Sequence, residues 1–196
     1  MLGVSVRKKI PRNTEDYYTQ YCKDVAEFSM AYLDEADFHN VHFLALSTGS
    51  SDDRAVARDI IAQCDEKYHD RMKIIPFTGN VEAYIEEMQK CKIMVCTRFH
   101  SMVFALMLEK PFVPIIYEEK MKRVLQEIAY YGEEPAYEDR LYVWRIFGAL
   151  DKRFLDEELR RYLRRGKRFF KQTDQWLLSG KLKRKLCSLF VKVIRR

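Results

Sequence analysis

The chain has 196 residues, of which 47% are hydrophobic and 33% are charged, and this composition predicts one compact globular domain with an appendage. The sequence shows no signal-peptide pattern and no apolar run of the roughly 18 residues needed to cross a bilayer, so we expect a cytoplasmic protein. The five cysteines form no C-x-x-C pair, which indicates reduced thiols rather than disulfides or metal ligands.

Charge is distributed unevenly along the chain. Residues 160–196 contain fourteen Lys and Arg and a single acidic residue, Asp174, so this segment carries +13. The totals of 35 basic and 29 acidic residues leave 21 basic and 28 acidic residues in 1–159, which therefore carries −7. An acidic body with a basic tail is unlike a uniformly basic nucleic-acid-binding domain, and no nucleic-acid partner is predicted.

Strand and helix patterns alternate over the first two thirds of the chain, with short connectors. The predicted strands are Leu2–Val6, Val41–Leu46, Lys73–Phe77, Ile93–Cys96 and Phe112–Tyr117. The predicted helices run from a cap at Asn13 or Thr14 to Ala36, and over 52–68, 81–90, 101–109 and 118–131. Strands separated by helices predict a parallel sheet with right-handed crossovers, a Rossmann-like doubly wound α/β domain over residues 1–150.

The remaining residues, 151–196, are predicted to form a helical, strongly basic C-terminal extension. A last short strand is predicted just before this extension, at 141–146. The extension begins with a charged helix at 151–170, and a basic amphipathic helix follows from Trp176. Such a helix can lie on an anionic membrane surface, or it can pack against a protein surface. The sequence leaves both alternatives open.

A polar segment interrupts the apolar region between the fourth strand and its helix. Arg98 and His100 lie at this strand end, where ligands of open α/β sheets bind and where helix N-termini attract anions. An arginine can hold a carboxylate or phosphate with two parallel hydrogen bonds, and a histidine can transfer a proton near neutral pH. The segment therefore predicts anion binding coupled to acid–base chemistry, although the same pattern also fits a capped, solvated helix start.

Other motifs add no further site. The sequence contains neither G-x-G-x-x-G nor G-x-x-x-x-G-K-[ST], so no motif supports dinucleotide or P-loop chemistry. His39, His42 and His69 have no partners at ligand spacing and are interpreted as surface or core histidines. No metal site is predicted.

The run TRFHSMVFALMLEKPFVPIIYEEK, residues 97–120, resembles the signature region of the polysaccharide pyruvyl transferase family. The opening GVSVR, residues 3–7, is similar to the strand that begins the second half of that family's fold. The resemblance covers roughly residues 2–130 and leaves out the basic tail. It implies one half of a GT-B-like fold, in which two Rossmann-like halves face a cleft.

By this resemblance the protein transfers pyruvyl from phosphoenolpyruvate to a sugar of a cell-surface polysaccharide, and it needs no cofactor besides that donor. The resemblance places Arg98 and His100 in donor binding and catalysis, with His100 as general acid, and Arg7 beside the anionic donor. Tyr117 and Lys120 are expected to contribute to donor binding. The implied acceptor is a saccharide or lipid-linked saccharide, used at the inner face of the cytoplasmic membrane.

The family's first half does not precede Leu2 in this sequence, so we expect the chain to be a truncated piece, a split gene product or a degenerate relative. In the first two cases a missing N-terminal half or partner subunit completes the cleft, and this chain is not expected to be active by itself. Two other functions are compatible with the pattern. One is the donor-binding half of a nucleotide-sugar glycosyltransferase, which shares the architecture and the basic site. The other is a non-catalytic module that docks to a membrane or a partner.

Overall fold

The computed structural model describes residues 1–8, 15–49 and 51–127 as an α/β domain built on one parallel sheet. Its strands are β1 (Leu2–Ser5), β2 (Val41–Ala45), β3 (Met72–Pro76), β4 (Ile93–Cys96) and β5 (Phe112–Pro114). They lie in the order β3-β2-β1-β4-β5, and every neighbouring pair is parallel. The predicted fold class is therefore confirmed.

Helices connect the strands, as parallel neighbours require. They are α1 (Glu15–Asp34), α2 (Asp53–Ile61), α3 (Val81–Lys90), α4 (Phe99–Met107) and α5 (Glu119–Glu127), with a 3₁₀ helix at Glu66–Arg71 between α2 and β3. The bounds predicted for α3 and β4 agree with the structure. Asn80 accepts a hydrogen bond from the amide of Ala83 at 3.0 Å and so caps α3, as the sequence indicated.

The sheet is covered on both faces. One core lies between the sheet and helices α1 and α2, and the second lies between the sheet and helices α3, α4 and α5. Alternate residues of one strand enter different cores: Val95 of β4 packs in the first, whereas Met94 and Cys96 pack in the second. Because both faces are buried, every residue of β1, β2 and β4 is buried, which explains the continuous apolar runs in the sequence.

The single helix predicted over 52–68 is wrong, because α2 ends at Ile61 and a 3₁₀ helix follows. Buried residues continue at helical spacing through Cys64 to Tyr68, which is why the pattern suggested one helix. After Ile61 the backbone hydrogen bonds join residues three apart instead of four, as in the bond from the Cys64 amide to the Ile61 carbonyl at 2.9 Å. The Nε2 atom of His69 contacts the carbonyl oxygens of Ile61 and Cys64 at 3.0 and 3.1 Å, which stabilises the break.

The sheet reverses its winding between β1 and β4. Strands β1, β2 and β3 are connected across the first face, whereas α3, α4 and α5 pack on the second. In doubly wound folds this reversal opens a crevice outside the carboxyl ends of the two central strands. Here Ser5 pairs in register with Cys96, so β1 and β4 end at the same level. The segments that begin at Val6 and Thr97 therefore lie where doubly wound folds bind their ligands.

Several predictions lie outside the described residues: the helix cap at 13–14, the strand at 141–146, the helix at 151–170, the basic helix from Trp176, and the division into regions 1–150 and 151–196. Within the described ranges, the structure contains no helix that is both long enough and apolar enough to span a membrane.

Candidate functional site at the carboxyl edge of the sheet

The predicted site residues all follow strands β1, β4 and β5, at the carboxyl edge of the sheet. Arg7 follows β1, Arg98 and His100 follow β4, and Tyr117 and Lys120 follow β5. Electrostatic effects connect them, because the charges of Arg7 and Arg98 both act on the pKa of Tyr117, and those of Lys120 and Arg98 both act on the pKa of His100. The topology thus brings residues from three separate stretches of sequence into one cluster.

A pair of serines fixes the turn from β4 into α4. The Ser5 hydroxyl accepts hydrogen bonds from the amides of Thr97 at 2.9 Å and Arg98 at 3.1 Å. It lies 2.7 Å from the Ser101 hydroxyl, which donates to the Arg98 carbonyl at 2.6 Å. With its two acceptor positions used, Ser5 donates to Ser101, and the proton of Ser101 goes to Arg98. The last residue of β1 therefore holds the backbone of Arg98.

Arg98 forms an ion pair with a buried carboxylate. Its Nε donates to Asp53 Oδ2 at 3.1 Å and its Nη2 donates to Asp53 Oδ1, a forked arrangement with two parallel bonds. The Arg98 side chain is 18% exposed, whereas that of Asp53 is fully buried. Burial raises the pKa of Asp53 to about 6, although the charge and hydrogen bonds of Arg98, the Ser47 amide and the charge of Arg7 act in the opposite direction.

Arg7 lies over the ring of Tyr117, with its guanidinium carbon 3.8 Å from the ring centroid. This contact joins the segments after β1 and β5 across the end of β4. Burial raises the pKa of Tyr117 to about 12, with a further contribution from a hydrogen bond to Glu118. Tyr117 is therefore a neutral phenol at physiological pH.

His100 lies in the first turn of α4, because the helix begins two residues earlier than predicted. Burial lowers the pKa of His100, and the nearby positive charges of Lys120 and Arg98 lower it further. Lys120 is 53% exposed, pairs with Glu118 at 3.0 Å and lies over the Phe99 ring at 4.6 Å. The negative charge of Glu118 acts in the opposite direction, but the net effect lowers the pKa, so His100 is neutral at pH 7 in the ligand-free protein.

The N-terminus of α4 differs from those of α2 and α3. Asp52 and Asn80 cap α2 and α3 with their side chains, whereas Arg98 at the N-cap of α4 makes no side-chain capping bond. The first-turn amides of α4 therefore receive no acceptor from the cap residue, and they lie beside basic side chains. An anion can supply the missing acceptor and is also favoured by the helix dipole.

Sequence reasoning missed three residues of this site, Asp53, Ser5 and Ser101. The sequence places Asp53 in the first turn of the helix predicted over 52–68, where acids are common, and Ser5 inside a predicted strand. Both depend on contacts between distant segments, with separations of 45 residues for Asp53 to Arg98 and 96 for Ser5 to Ser101. A polar serine at the end of an otherwise apolar strand was the available signal. Among the described residues, no group of three His, Cys, Asp or Glu side chains converges as a metal site.

The fold and site define a class of protein: a Rossmann-like domain whose switch point carries basic side chains and a histidine, suited to a small anion. A family model for polysaccharide pyruvyl transferase matches residues 3–119. Because this range covers more than half of the 196 residues, the chain belongs to the polysaccharide pyruvyl transferase family. The match includes Arg7, Arg98, His100 and Tyr117 and ends one residue before Lys120. No curated protein matches the chain.

Proposed function

We propose that this domain binds phosphoenolpyruvate and takes part in transferring its pyruvyl group to a sugar of a cell-surface polysaccharide. The observation that carries the proposal is the cluster of Arg7, Arg98 and His100 at the switch point, within the range matched by the family. The acceptor is then a saccharide or lipid-linked saccharide, and the N-terminal half of the family's fold, or a partner subunit, supplies the opposite wall of the cleft.

Donor binding follows from charge and geometry. Phosphoenolpyruvate carries a carboxylate and a phosphate, and a guanidinium can bind either with two parallel hydrogen bonds. Asp53 uses the Nε–Nη2 edge of Arg98, and Nη2 also makes a long contact of 3.5 Å with the Ser51 hydroxyl, so a ligand at the Nη1–Nη2 edge takes the place of that contact. Arg7 provides a second guanidinium, and Tyr117 contributes by stacking against it. Lys120 borders the site as a further cation for the phosphate.

His100 is the proposed general acid. In the reaction a sugar hydroxyl adds to the enol carbon of the donor while His100 donates its proton to the methylene carbon, which becomes a methyl group, and the proton released by the hydroxyl returns to His100. A second hydroxyl of the sugar then displaces the phosphate, which completes the ketal. His100 is neutral in the free protein, since its pKa is lowered. The negative charge of the donor raises that pKa, so His100 acquires its proton as the donor binds.

Calorimetric titration of the 196-residue protein with phosphoenolpyruvate and with UDP-sugars tests the proposal. We expect binding of phosphoenolpyruvate, and we expect Arg98→Ala to weaken it by about 1.5–3 kcal/mol, or roughly 10- to 150-fold. Arg58→Ala is a matched control, because it removes an arginine from the exposed surface of the neighbouring helix α2. His100→Ala should reduce turnover in the active assembly more than it reduces donor binding.

The alternatives give different results in the same titrations. Tight binding of a UDP-sugar without binding of phosphoenolpyruvate would overturn the proposal in favour of a nucleotide-sugar glycosyltransferase. A non-catalytic docking module predicts that neither ligand binds. Binding of phosphoenolpyruvate that is unaffected by Arg98→Ala would refute the assignment of Arg98 while leaving the donor in place.

A further inference from the structure

Asp53 is held rigidly beneath the proposed donor site. Its backbone amide donates to the Ser47 carbonyl at 2.9 Å, and its side-chain Oδ2 accepts from the Ser47 amide at 2.9 Å. This reciprocal pair closes the segment between β2 and α2 and fixes the carboxylate at the carboxyl edge of the sheet. Because the side chain is fully buried, Asp53 cannot itself contact a donor or a sugar.

Asp53 nevertheless determines where the Arg98 guanidinium lies. The two parallel bonds from Nε and Nη2 fix both the position and the plane of the guanidinium, and Nη2 also lies 3.5 Å from the Ser51 hydroxyl. A guanidinium is planar, so fixing its inner edge also fixes the direction of its outer edge. An arginine without this partner would have to be ordered by the ligand, at a cost in affinity.

We propose that Asp53 is the positioning residue for Arg98, holding the guanidinium so that its outer edge faces the anionic donor. This inference deepens the proposed function and rests on it for the identity of the donor. The alternative relationship is competition, in which Asp53 neutralises Arg98 and the donor must displace it. The two relationships predict opposite effects when the charge of Asp53 is removed.

The experiment compares donor affinity in Asp53→Asn with that in the wild-type 196-residue protein by calorimetry at pH 7.5. We expect Asp53→Asn to weaken phosphoenolpyruvate binding by roughly 10-fold, since it removes a charge-assisted fork. Asp52→Asn is the matched control, because Asn also caps helices well and Asp52 pairs with Arg54 rather than Arg98. Tighter binding by Asp53→Asn would show competition and overturn the proposal.

A double-mutant cycle separates positioning from a general structural effect. If Asp53 acts through Arg98, Asp53→Asn should have little further effect on donor affinity in the Arg98→Ala background. An undiminished loss in that background would mean that the substitution disturbs the site by another route, and the proposal would be wrong. Thermal melting of each variant shows whether the chain has folded.

The pH dependence gives an independent readout. Below about pH 6 the Asp53 carboxyl of the wild type becomes protonated and no longer accepts both hydrogen bonds from Arg98. The donor affinity of the wild type relative to that of Asp53→Asn should therefore decrease as pH falls from 7.5 to 5. The charged groups facing Asp53 are Arg98 and Arg7, and the phenols of Tyr21 and Tyr84 also lie within its electrostatic influence. Protonation of the donor and of His100 changes donor affinity in the wild type and in Asp53→Asn alike. These changes cancel in the ratio of the two affinities, which therefore reports on Asp53. A constant ratio would contradict the proposal.

A measurement without donor distinguishes failure of this inference from failure of the proposed function. In nitrogen-15 NMR spectra, the fork should slow rotation of the Arg98 guanidinium in the wild type, and Asp53→Asn should release it. If Asp53→Asn speeds rotation of the Arg98 guanidinium but the protein binds no phosphoenolpyruvate, Asp53 positions Arg98 and the proposed donor is wrong. Slow rotation that persists in Asp53→Asn would overturn the positioning itself.

Discussion

His100 is surrounded by features that favour its neutral form. Burial lowers its pKa first, and the positive charges of Lys120 and Arg98 lower it further. A general acid must carry a proton at the moment of reaction, so the role proposed for His100 requires that donor binding raise its lowered pKa again. Under the proposed function, an anionic donor beside these two cations raises the pKa of His100, and donor binding is then coupled to proton uptake.

This coupling predicts that phosphoenolpyruvate binding at pH 8 takes up protons from the buffer. The phosphate of a phosphoester is fully ionised at that pH, since its second pKa is about 6, so the protons must go to the protein. Calorimetry in two buffers of different ionisation enthalpy measures the uptake. His100→Gln should abolish it, whereas His39→Gln, which changes a histidine before β2 at the opposite edge of the sheet, should not. Uptake that survives His100→Gln would contradict the assignment.

The stacking of Arg7 on Tyr117 predicts which part of the tyrosine matters. The phenol hydroxyl is hydrogen-bonded to Glu118, so the ring supports Arg7 while the hydroxyl is already used. Tyr117→Phe keeps the ring and should leave donor affinity within about 2-fold of the wild type. Tyr117→Leu removes a cation–π contact and should weaken binding by about 0.5–2 kcal/mol. Equal losses in both variants, measured by calorimetry, would show that the hydroxyl contacts the donor.

The residues that sequence reasoning brought into the site share one property, namely that each lies at the end of a predicted strand or shortly after it. Arg98 and His100 interrupt an apolar run, so their position at a strand end was visible without coordinates. Asp53 was not, because an acid in the first turn of a helix is common and its partner lies 45 residues away. The chemistry of individual residues was therefore predictable where it was local, and was missed where it depended on the packing of separate segments.

At the scale of elements, the junction of β1, β4 and α4 depends on one hydroxyl group. Ser5→Ala leaves the amides of Thr97 and Arg98 without their acceptor in a buried region, and an unsatisfied buried group costs about 1–3 kcal/mol. Urea unfolding should show this loss of stability. Ser29→Ala is the control: Ser29 is equally buried, but among the described residues its hydroxyl has no hydrogen-bond partner. An equal loss in both variants would contradict the role of Ser5.

Close packing of β1 against the start of β4 gives a second prediction for the elements. A Cβ atom at Gly3 would lie 2.8 Å from Cys91 Sγ and 3.3 Å from Leu44 Cδ1. Gly3→Ala should therefore lower the free energy of unfolding by about 1–3 kcal/mol. Cys91→Ala removes the nearest atom and should restore part of that loss in the double variant. Additive effects of the two substitutions would show that no such contact limits the site.

Element positions were predicted best where local chemistry fixes both ends. The bounds of α3 were correct because an Asn cap precedes it and a buried strand follows shortly after it. The helix predicted over 52–68 was wrong because apolar periodicity continues across the break, while the bonds that end α2 come from His69, which lies beyond it. Periodicity reports which residues are buried, but it does not report where the backbone ladder changes.

At the scale of the whole molecule, the division of charge is the dominant feature. Residues 1–159 carry −7 and residues 160–196 carry +13. The basic segment lies outside the described residues. Its apolar positions from Leu178 to Ile194 recur at helical spacing, so a helix on a membrane surface or packed against protein stays a prediction from the sequence. The proposed acceptor is a polysaccharide precursor, and such precursors are often carried on lipids at the inner membrane face, so attachment there would bring enzyme and acceptor together.

Truncation after Asp174 tests this prediction by co-sedimentation with liposomes. Each basic residue near an anionic surface contributes about 1 kcal/mol, so residues 1–174 should bind anionic liposomes far more weakly than the intact chain. Binding of the intact chain should fall as salt is raised, and neutral liposomes serve as the control. If the apolar stripe packs against protein instead, truncation should lower the melting temperature and leave weak sedimentation unchanged.

The position of β1 at the centre of the sheet has a consequence for synthesis on the ribosome. β1 leaves the exit tunnel before both of its neighbours in the sheet, which are residues 41–45 and 93–96. Until β4 emerges, one side of β1 is an open strand edge, a form that favours aggregation and recognition by chaperones. The Ser5 hydroxyl also cannot accept its two backbone hydrogen bonds until residues 97 and 98 have emerged. A nascent chain stalled before residue 93 can pair β1 with β2, but it does not yet contain Arg98 and His100, on which the proposed donor site depends.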